Sequence, residues 1–223
     1  MNKKLLLEAI SKYLLGIVLI GILLYVPAGT IKWFNGNLFM LLLFVPMFIA
    51  GIIMYLKAPN LLRSRLSAKE KQGEQKDVVK YSGLMFLVSF IIAGLNYRFK
   101  WIVLNNVVVI IGSIIFLLSY LMFGEVLREN AYLSRTIEVQ ENQTVVDTGL
   151  YGIVRHPMYT ATIFLFLSMP LILNSLISFL IMLVYIPIII KRIKNEEEVL
   201  EKDLIGYKEY KQKIKYRLVP YIY

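Results

Sequence analysis

Apolar residues run in long blocks along this chain, and charged residues are confined to the joints between them. Tyr13 to Pro27, Leu38 to Leu56, Tyr81 to Tyr97 and Ile102 to Phe123 contain no Lys, Arg, Asp or Glu. Each is near the roughly 20 residues that a helix needs to cross 30 Å of hydrocarbon. Only helices or closed barrels satisfy their backbone groups inside a bilayer, and blocks without alternation predict helices. Pro46 and Gly51 interrupt the second block, a kink that neighbouring helices can accommodate. A further nearly uncharged stretch reads as a hairpin, with arms Met158 to Leu173 and Leu176 to Ile190 and a turn at Pro170, Asn174 and Ser175. Each arm amounts to roughly 23 Å of helix. That is short for a crossing, so the hairpin either spans a thinned bilayer or stops part-way as a re-entrant pair. The fold class is an all-α integral membrane protein. About four transmembrane helices occupy residues 1–123, and residues 124–223 hold the hairpin at 158–190 and a helical tail.

The joints carry their own signals. Met1 to Lys12 is a basic lead-in with Glu8 and Lys12, which favours a first transmembrane helix over a signal peptide cleaved near Val26-Pro27-Ala28. Trp33 and Phe34 suit an interfacial aromatic belt. Lys57 to Lys80 is polar, and Ser67-Ala68-Lys69-Glu70 has capping-box spacing, so either a short surface helix or a solvated connector fits there. Thr136 to Gln140 alternates, Glu141-Asn142-Gln143 resembles a turn and Thr144-Val145-Val146 is a second short run. A small β-hairpin lid and a plain loop fit this region equally. Beyond Ile190 a charged helix is expected to about Leu204, then Gly206 and a Tyr- and Lys-rich interfacial tail ended by Pro220.

Charge placement fixes an expected orientation. With the N-terminus in the cytosol and every block crossing, 22 of the 25 Lys and Arg lie inside, and only Lys32, Arg98 and Lys100 lie outside. The cytosolic excess of positive charge predicts that both termini are cytosolic. The net charge of +10 is therefore a topology signal rather than evidence for nucleic acid. A composition 58% hydrophobic exceeds that of ordinary soluble domains. With no Cys and a single His, thiol chemistry is excluded and a metal site is not expected. The expected partner at this point is the bilayer, without nucleic acid or metal.

The hairpin returns the chain to the side it left, so Arg155 and His156 at its start meet Arg192, Glu196 and Glu197 at its end. Pro157 suits the first turn of a helix, whose free N–H groups, with Arg155 and His156, would form an anion pocket. Arg192 and Glu196 are i,i+4 neighbours on one helix face. Glu197 points about 100° away from Glu196, so at most one of the two pairs with Arg192. A ligand with a carboxylate, an ammonium, a ribose and a sulfonium matches this inventory, as S-adenosyl-L-methionine (SAM) does. A salt-bridge cluster that only anchors the hairpin at the headgroups has the same inventory. The Gly149–Gly152 spacing is not a nucleotide signature, and a GxGxxG after a strand is lacking. Spans without central charges disfavour a transporter.

The run Gly149-Leu-Tyr-Gly-Ile-Val-Arg-His-Pro-Met-Tyr159 resembles the G-x-Y-x-x-V-R-H-P-x-Y signature of the isoprenylcysteine carboxyl methyltransferase family and its phospholipid methyltransferase relatives. Arg192-Ile193-x-x-Glu196-Glu197-x-x-Leu200 is similar to that family's R-I-x-x-E-E-x-x-L. Gly206-Tyr207-x-x-Tyr210 and Tyr216-Arg217-Leu218-Val219-Pro220 resemble its C-terminal motifs, and the likeness takes in Asn130 and Ser134-Arg135. The resemblance implies an integral-membrane, SAM-dependent methyltransferase whose cofactor pocket combines the RHP segment, the hairpin, the EE helix and the cytosolic helical tail. It makes Arg155, His156, Tyr159, Glu196 and Glu197 the expected cofactor-binding residues, and Arg192 and His156 the expected catalytic ones. Arg155 and His156 are assigned the methionyl carboxylate, and Glu196 or Glu197 the amino group or ribose. Arg192 is assigned an anionic acceptor, or else the task of holding Glu196. Carboxyl O-methylation is the leading expectation, with phospholipid N-methylation and methylation of a small hydrophobic metabolite or thiol as alternatives. A non-catalytic membrane scaffold or lipid-binding protein is the rival outside enzymes.

Overall fold

A computed structural model describes residues 3–66, 73–130, 132–133 and 139–223, with the side chains of 73–75 left undescribed. Among the described residues the regular structure is helical: α1 (Lys3–Ala28), α2 (Phe34–Lys57), α3 (Pro59–Leu66), α4 (Gly73–Phe99), α5 (Asn106–Glu129), α6 (Pro157–Ile172), α7 (Leu176–Met182), α8 (Tyr185–Asp203) and α9 (Tyr207–Lys213), with a 3₁₀ turn at Gly149–Gly152. Five stretches are long and apolar enough to cross a membrane: α1, α2, 76–99 of α4, α5, and α7 with α8 taken together. Large apolar side chains such as Leu15, Leu19, Ile22, Ile53, Ile110, Ile114 and Leu118 are about half exposed along α1, α2 and α5. So much contiguous apolar surface is stable against lipid rather than water, and the chain is an all-α integral membrane protein.

Small residues let the helices approach closely, as expected where lipid gives no hydrophobic drive to pack. A Cβ on Gly94 of α4 would lie 2.6 Å from the Leu24 carbonyl of α1. One on Gly112 of α5 would lie 2.8 Å from Leu171 of α6. Phe39, Phe90 and Phe116 fill the space between α2, α4 and α5, and Ile172 and Met182 join the same buried cluster.

Several boundaries differ from the sequence reading. The fourth span begins at Asn106 rather than Ile102, because Asn105 caps the helix by accepting from the Val107 N–H. Residues 102–104 stay extended because Asn96 and Asn174 side chains accept from the Ile102 and Leu104 N–H groups. Within the polar Lys57–Lys80 segment a short helix lies at Pro59–Leu66, with Pro59 in its first turn. The proposed cap at Ser67–Glu70 lies outside the described residues, as do Ser134-Arg135 and the Thr136–Glu138 part of the suggested hairpin lid. Residues 139–140 and 143–147 carry no strand pairing.

The hairpin runs the full depth of the bundle. Asn174 at its tip bonds Leu104 and receives the Asn96 amide, while Asn35 at the start of α2 donates to Ile172. These residues belong to the loops at the end opposite α3. The second arm is α7 continuing into α8, broken at Leu183–Val184. Pro187 has no N–H to offer the Leu183 carbonyl, which accepts from Ile186 instead. α8 then extends from the apolar layer through the charged RIKNEEEVL segment without interruption.

Candidate functional site

Three pieces of chain converge where α8 leaves the apolar layer. The first is the segment from the C-terminus of α5 through the 3₁₀ turn to Pro157. Gly149 adopts a left-handed φ of +50°, and the Glu129 carboxylate accepts from the Leu150 N–H at 3.0 Å. Asn130, the C-cap of α5, donates to the Tyr151 hydroxyl. The second piece is α8. The third is the tail, which folds back over the site. Tyr207, Tyr210, Ile214 and Leu218 are buried, and the Tyr210 hydroxyl donates to the Tyr151 carbonyl at 2.8 Å. A helical tail at the pocket agrees with the expectation from the sequence, and Tyr207, Tyr210 and Ile214 bury one side of it at helical spacing.

The tail is also tied to the RHP segment through backbone hydrogen bonds. The Arg155 and His156 N–H groups donate to the carbonyls of Tyr216 and Arg217, each at 2.9 Å, and Thr160 Oγ1 donates to the Leu218 carbonyl. The helix start at Pro157 is thus pinned from outside.

The structure brings all the expected site residues together, but in two layers. Glu197 is 2% exposed and lies behind the pocket. Its Oε1 accepts from Arg155 Nε at 2.8 Å and faces His156 Nε2 at 3.1 Å. Its Oε2 accepts from Arg217 Nε and Nη2 at 3.0 and 2.8 Å, with Lys211 Nζ 3.7 Å away. Hydrogen bonding to this carboxylate pushes the Arg217 guanidinium above its ordinary pKa. Arg155 is further engaged through Nη1 with the carbonyls of Ile214 and Lys215. Its guanidinium is therefore largely committed to the tail.

Glu196 occupies the front layer. It lines the pocket, its side chain is 23% exposed, and it accepts from the Tyr159 hydroxyl. Arg192 Nε donates to the same Tyr159 oxygen at 2.9 Å. Arg192 and Glu196 are therefore joined through Tyr159. His156 Nδ1 stands 3.9 Å from Glu196 Oε1.

The pocket encloses about 830 Å³ of non-protein space, open solvent at its mouth included. Its α8 wall is Arg192, Glu196 and Leu200 at i, i+4 and i+8, followed by Leu204. About 12 Å of helix runs from Arg192 at the charged end of this wall to Leu200 at the apolar end. Facing the apolar part are Val145, Val146, Tyr151, Tyr207 and Tyr210, and burial pushes the three phenols above their ordinary pKa, keeping them neutral. The Tyr207 hydroxyl is buried with no hydrogen-bond partner among the described residues. The described residues contain no group of three His, Cys, Asp or Glu placed to hold a metal ion.

Comparison with known proteins agrees with this architecture. Residues 107–202, from the first turn of α5 to the end of α8, match the Isoprenylcysteine carboxyl methyltransferase (ICMT) family. The chain is also 29% identical over 91 residues to the Delta(14)-sterol reductase TM7SF2 of Mus musculus. That match covers 40% of this chain and 22% of the relative's length.

Proposed function

We propose that this chain, whose residues 107–202 match the isoprenylcysteine carboxyl methyltransferase family, is a SAM-dependent methyltransferase acting on a lipophilic acceptor at the cytosolic membrane face. The observation that carries the reading is the graded wall of α8. One face of one helix offers Arg192 and Glu196 at one end and Leu200 at the other. This suits a ligand that is zwitterionic at one end and flat and apolar at the other, as SAM is. The donor set fits: Glu196 for an ammonium, the Tyr159–Arg192 pair for anionic oxygens, and the Tyr207/Tyr210/Leu204 end for a nucleobase.

SAM supplies an electrophilic methyl group on a sulfonium. Methylation of a carboxylate requires no base, so the chain's contribution is alignment and exclusion of water. Arg192, anchored through Tyr159, is placed to hold an anionic acceptor at the edge of the apolar layer. The shared motifs describe the cofactor side, so carboxyl O-methylation leads and phospholipid N-methylation follows. The likeness to a sterol reductase favours a second reading, reduction of a sterol-like lipid using a hydride donor.

Calorimetry on the detergent-solubilised protein distinguishes them. Micromolar binding of S-adenosylhomocysteine, abolished in a His156→Ala variant that purifies normally, is the expected result. Binding of a reduced nicotinamide cofactor without S-adenosylhomocysteine binding would replace methyl transfer with reduction.

A further inference from the structure

The two adjacent glutamates sit in different layers, and the geometry points to a division of labour between them. Glu197 is a positioning residue that fixes the protonation pattern of His156, so that a bare Nδ1 and Glu196 together receive a ligand ammonium. The pattern follows from the protein's geometry alone; the identity of the ligand rests on the methyltransferase reading.

Glu197 is surrounded by donors: Arg155 on Oε1, Arg217 on Oε2, and Lys211 nearby. A carboxylate flanked by two guanidiniums remains ionised and acts only as an acceptor. His156 Nε2, 3.1 Å from Oε1, must then be the protonated nitrogen. A neutral imidazole with its proton on Nε2 carries its lone pair on Nδ1. This is the tautomer logic that operates when a second residue holds the far nitrogen of a histidine. The groups facing the ring are Arg155 before it in the chain, Tyr159 of α6, Glu196 and Glu197 of α8, and, beyond Glu197, Arg217 of the tail and Lys211 of α9.

In that neutral tautomer Nδ1 and Glu196 Oε1, 3.9 Å apart, are two acceptors facing one another. An N–H donor with positive charge satisfies both, whereas a carboxylate at this point would meet a lone pair and an anion. The ammonium of the methionyl group is therefore assigned here, in place of the carboxylate expected from sequence. Arg217 acts at one remove. Its fork on Oε2 and the pairing of Arg155 and His156 with residues 216 and 217 hold Glu197 and the ring in mutual register.

His156 is the sole histidine of the chain, so ¹⁵N-histidine labelling reports a single ring. In the wild-type protein at alkaline pH, the spectrum should show Nε2 protonated and Nδ1 bare. S-adenosylhomocysteine should then shift the Nδ1 resonance and leave Nε2 in place. A proton on Nδ1, rapid exchange between tautomers, or a ligand-induced shift at Nε2 alone would overturn the proposal. Glu197→Gln supplies a second test. Its single acceptor oxygen is retained by the guanidiniums, which releases the imidazole. Affinity for S-adenosylhomocysteine should fall at least about tenfold, as on losing a hydrogen bond to a charged group. Affinity for the analogue lacking the amino group should change much less. Equal weakening of both ligands would make Glu197 merely structural and defeat the assignment. If the wild type binds no S-adenosylhomocysteine, the methyltransferase reading falls, and the apo tautomer alone decides the fate of the positioning proposal.

Discussion

Gly149→Ala perturbs the 3₁₀ turn that delivers Arg155 and His156 to the pocket, and its cost can be worked from the backbone. At φ +50° an alanine leaves the conformations available to L-residues without penalty, at about 1–2 kcal/mol. Its Cβ would fall 1.4 Å from Glu129 Oε1 and 2.2 Å from Cδ, so the carboxylate must leave its place at the head of the turn. That forfeits the bond to the Leu150 N–H, worth about 1–2 kcal/mol at a half-buried site. The expected loss is about 2–4 kcal/mol, accompanied by weakened ligand binding because Tyr151 to His156 follow directly. Glu129→Ala alone should cost about 1–2 kcal/mol through the same bond. The double variant should cost less than the sum, since the clash disappears and the bond is lost only once. Unfolding in mixed micelles titrated with SDS, followed by tryptophan fluorescence, measures all three. A Gly149→Ala cost below about 0.5 kcal/mol, or strict additivity with Glu129→Ala, would refute both the clash and the capping role.

Two further substitutions and one fusion test other parts of the architecture. Tyr207→Phe removes a buried hydroxyl without a partner among the described residues; stability in the ligand-free protein should be unchanged or rise by about 1 kcal/mol, and a clear fall would show that the hydroxyl is satisfied. Glu196→Gln should weaken S-adenosylhomocysteine at least about tenfold with little change in ligand-free stability, because this carboxylate is in the front layer and its partner Tyr159 retains Arg192; unchanged affinity would remove Glu196 from the ligand's path. A reporter enzyme active only in the cytosol, fused after Tyr223, should be active, and an external signal there would reverse the orientation inferred from charge.

The membrane-spanning plan was legible because it rests on one strong term, the cost of burying charge in hydrocarbon. Charge-free blocks marked α1, α2, α4 and α5 to within a few turns, and the resemblance in residues 149–159 and 192–200 matches the family found over 107–202. Boundaries failed where side chains rather than hydropathy decide. Asn96 and Asn174 hold Ile102 and Leu104 in extended form, although those residues are as apolar as the helix that follows. Hydropathy also left the depth of the hairpin open, since 16 residues of α6 suit either a short crossing or a partial one. Contacts of Asn174 and Asn35 across distant loops decide it, and such contacts have no local signature.

The tail shows the same division from the other direction. Its tyrosines and lysines have the composition of an interfacial segment, yet Tyr207, Tyr210, Ile214 and Leu218 are buried while the neighbouring lysines remain outside. Composition averages over faces, whereas period separates them. The glutamate pair is legible by the same criterion. Tyr185, Ile189, Ile193 and Glu197 form one i,i+4 stripe on α8, and its first three members are apolar and buried. A carboxylate continuing such a stripe faces the protein interior, where an unpaired charge is prohibitively costly. It must therefore be surrounded by cations, and Arg155 and Arg217 supply them. Arg192, Glu196 and Leu200 form the adjacent stripe, polar first and apolar later, which suits a wall against a ligand rather than against protein. The motif R-I-x-x-E-E-x-x-L thus encodes two surfaces in one helix, and which glutamate meets the ligand follows from the stripe each belongs to.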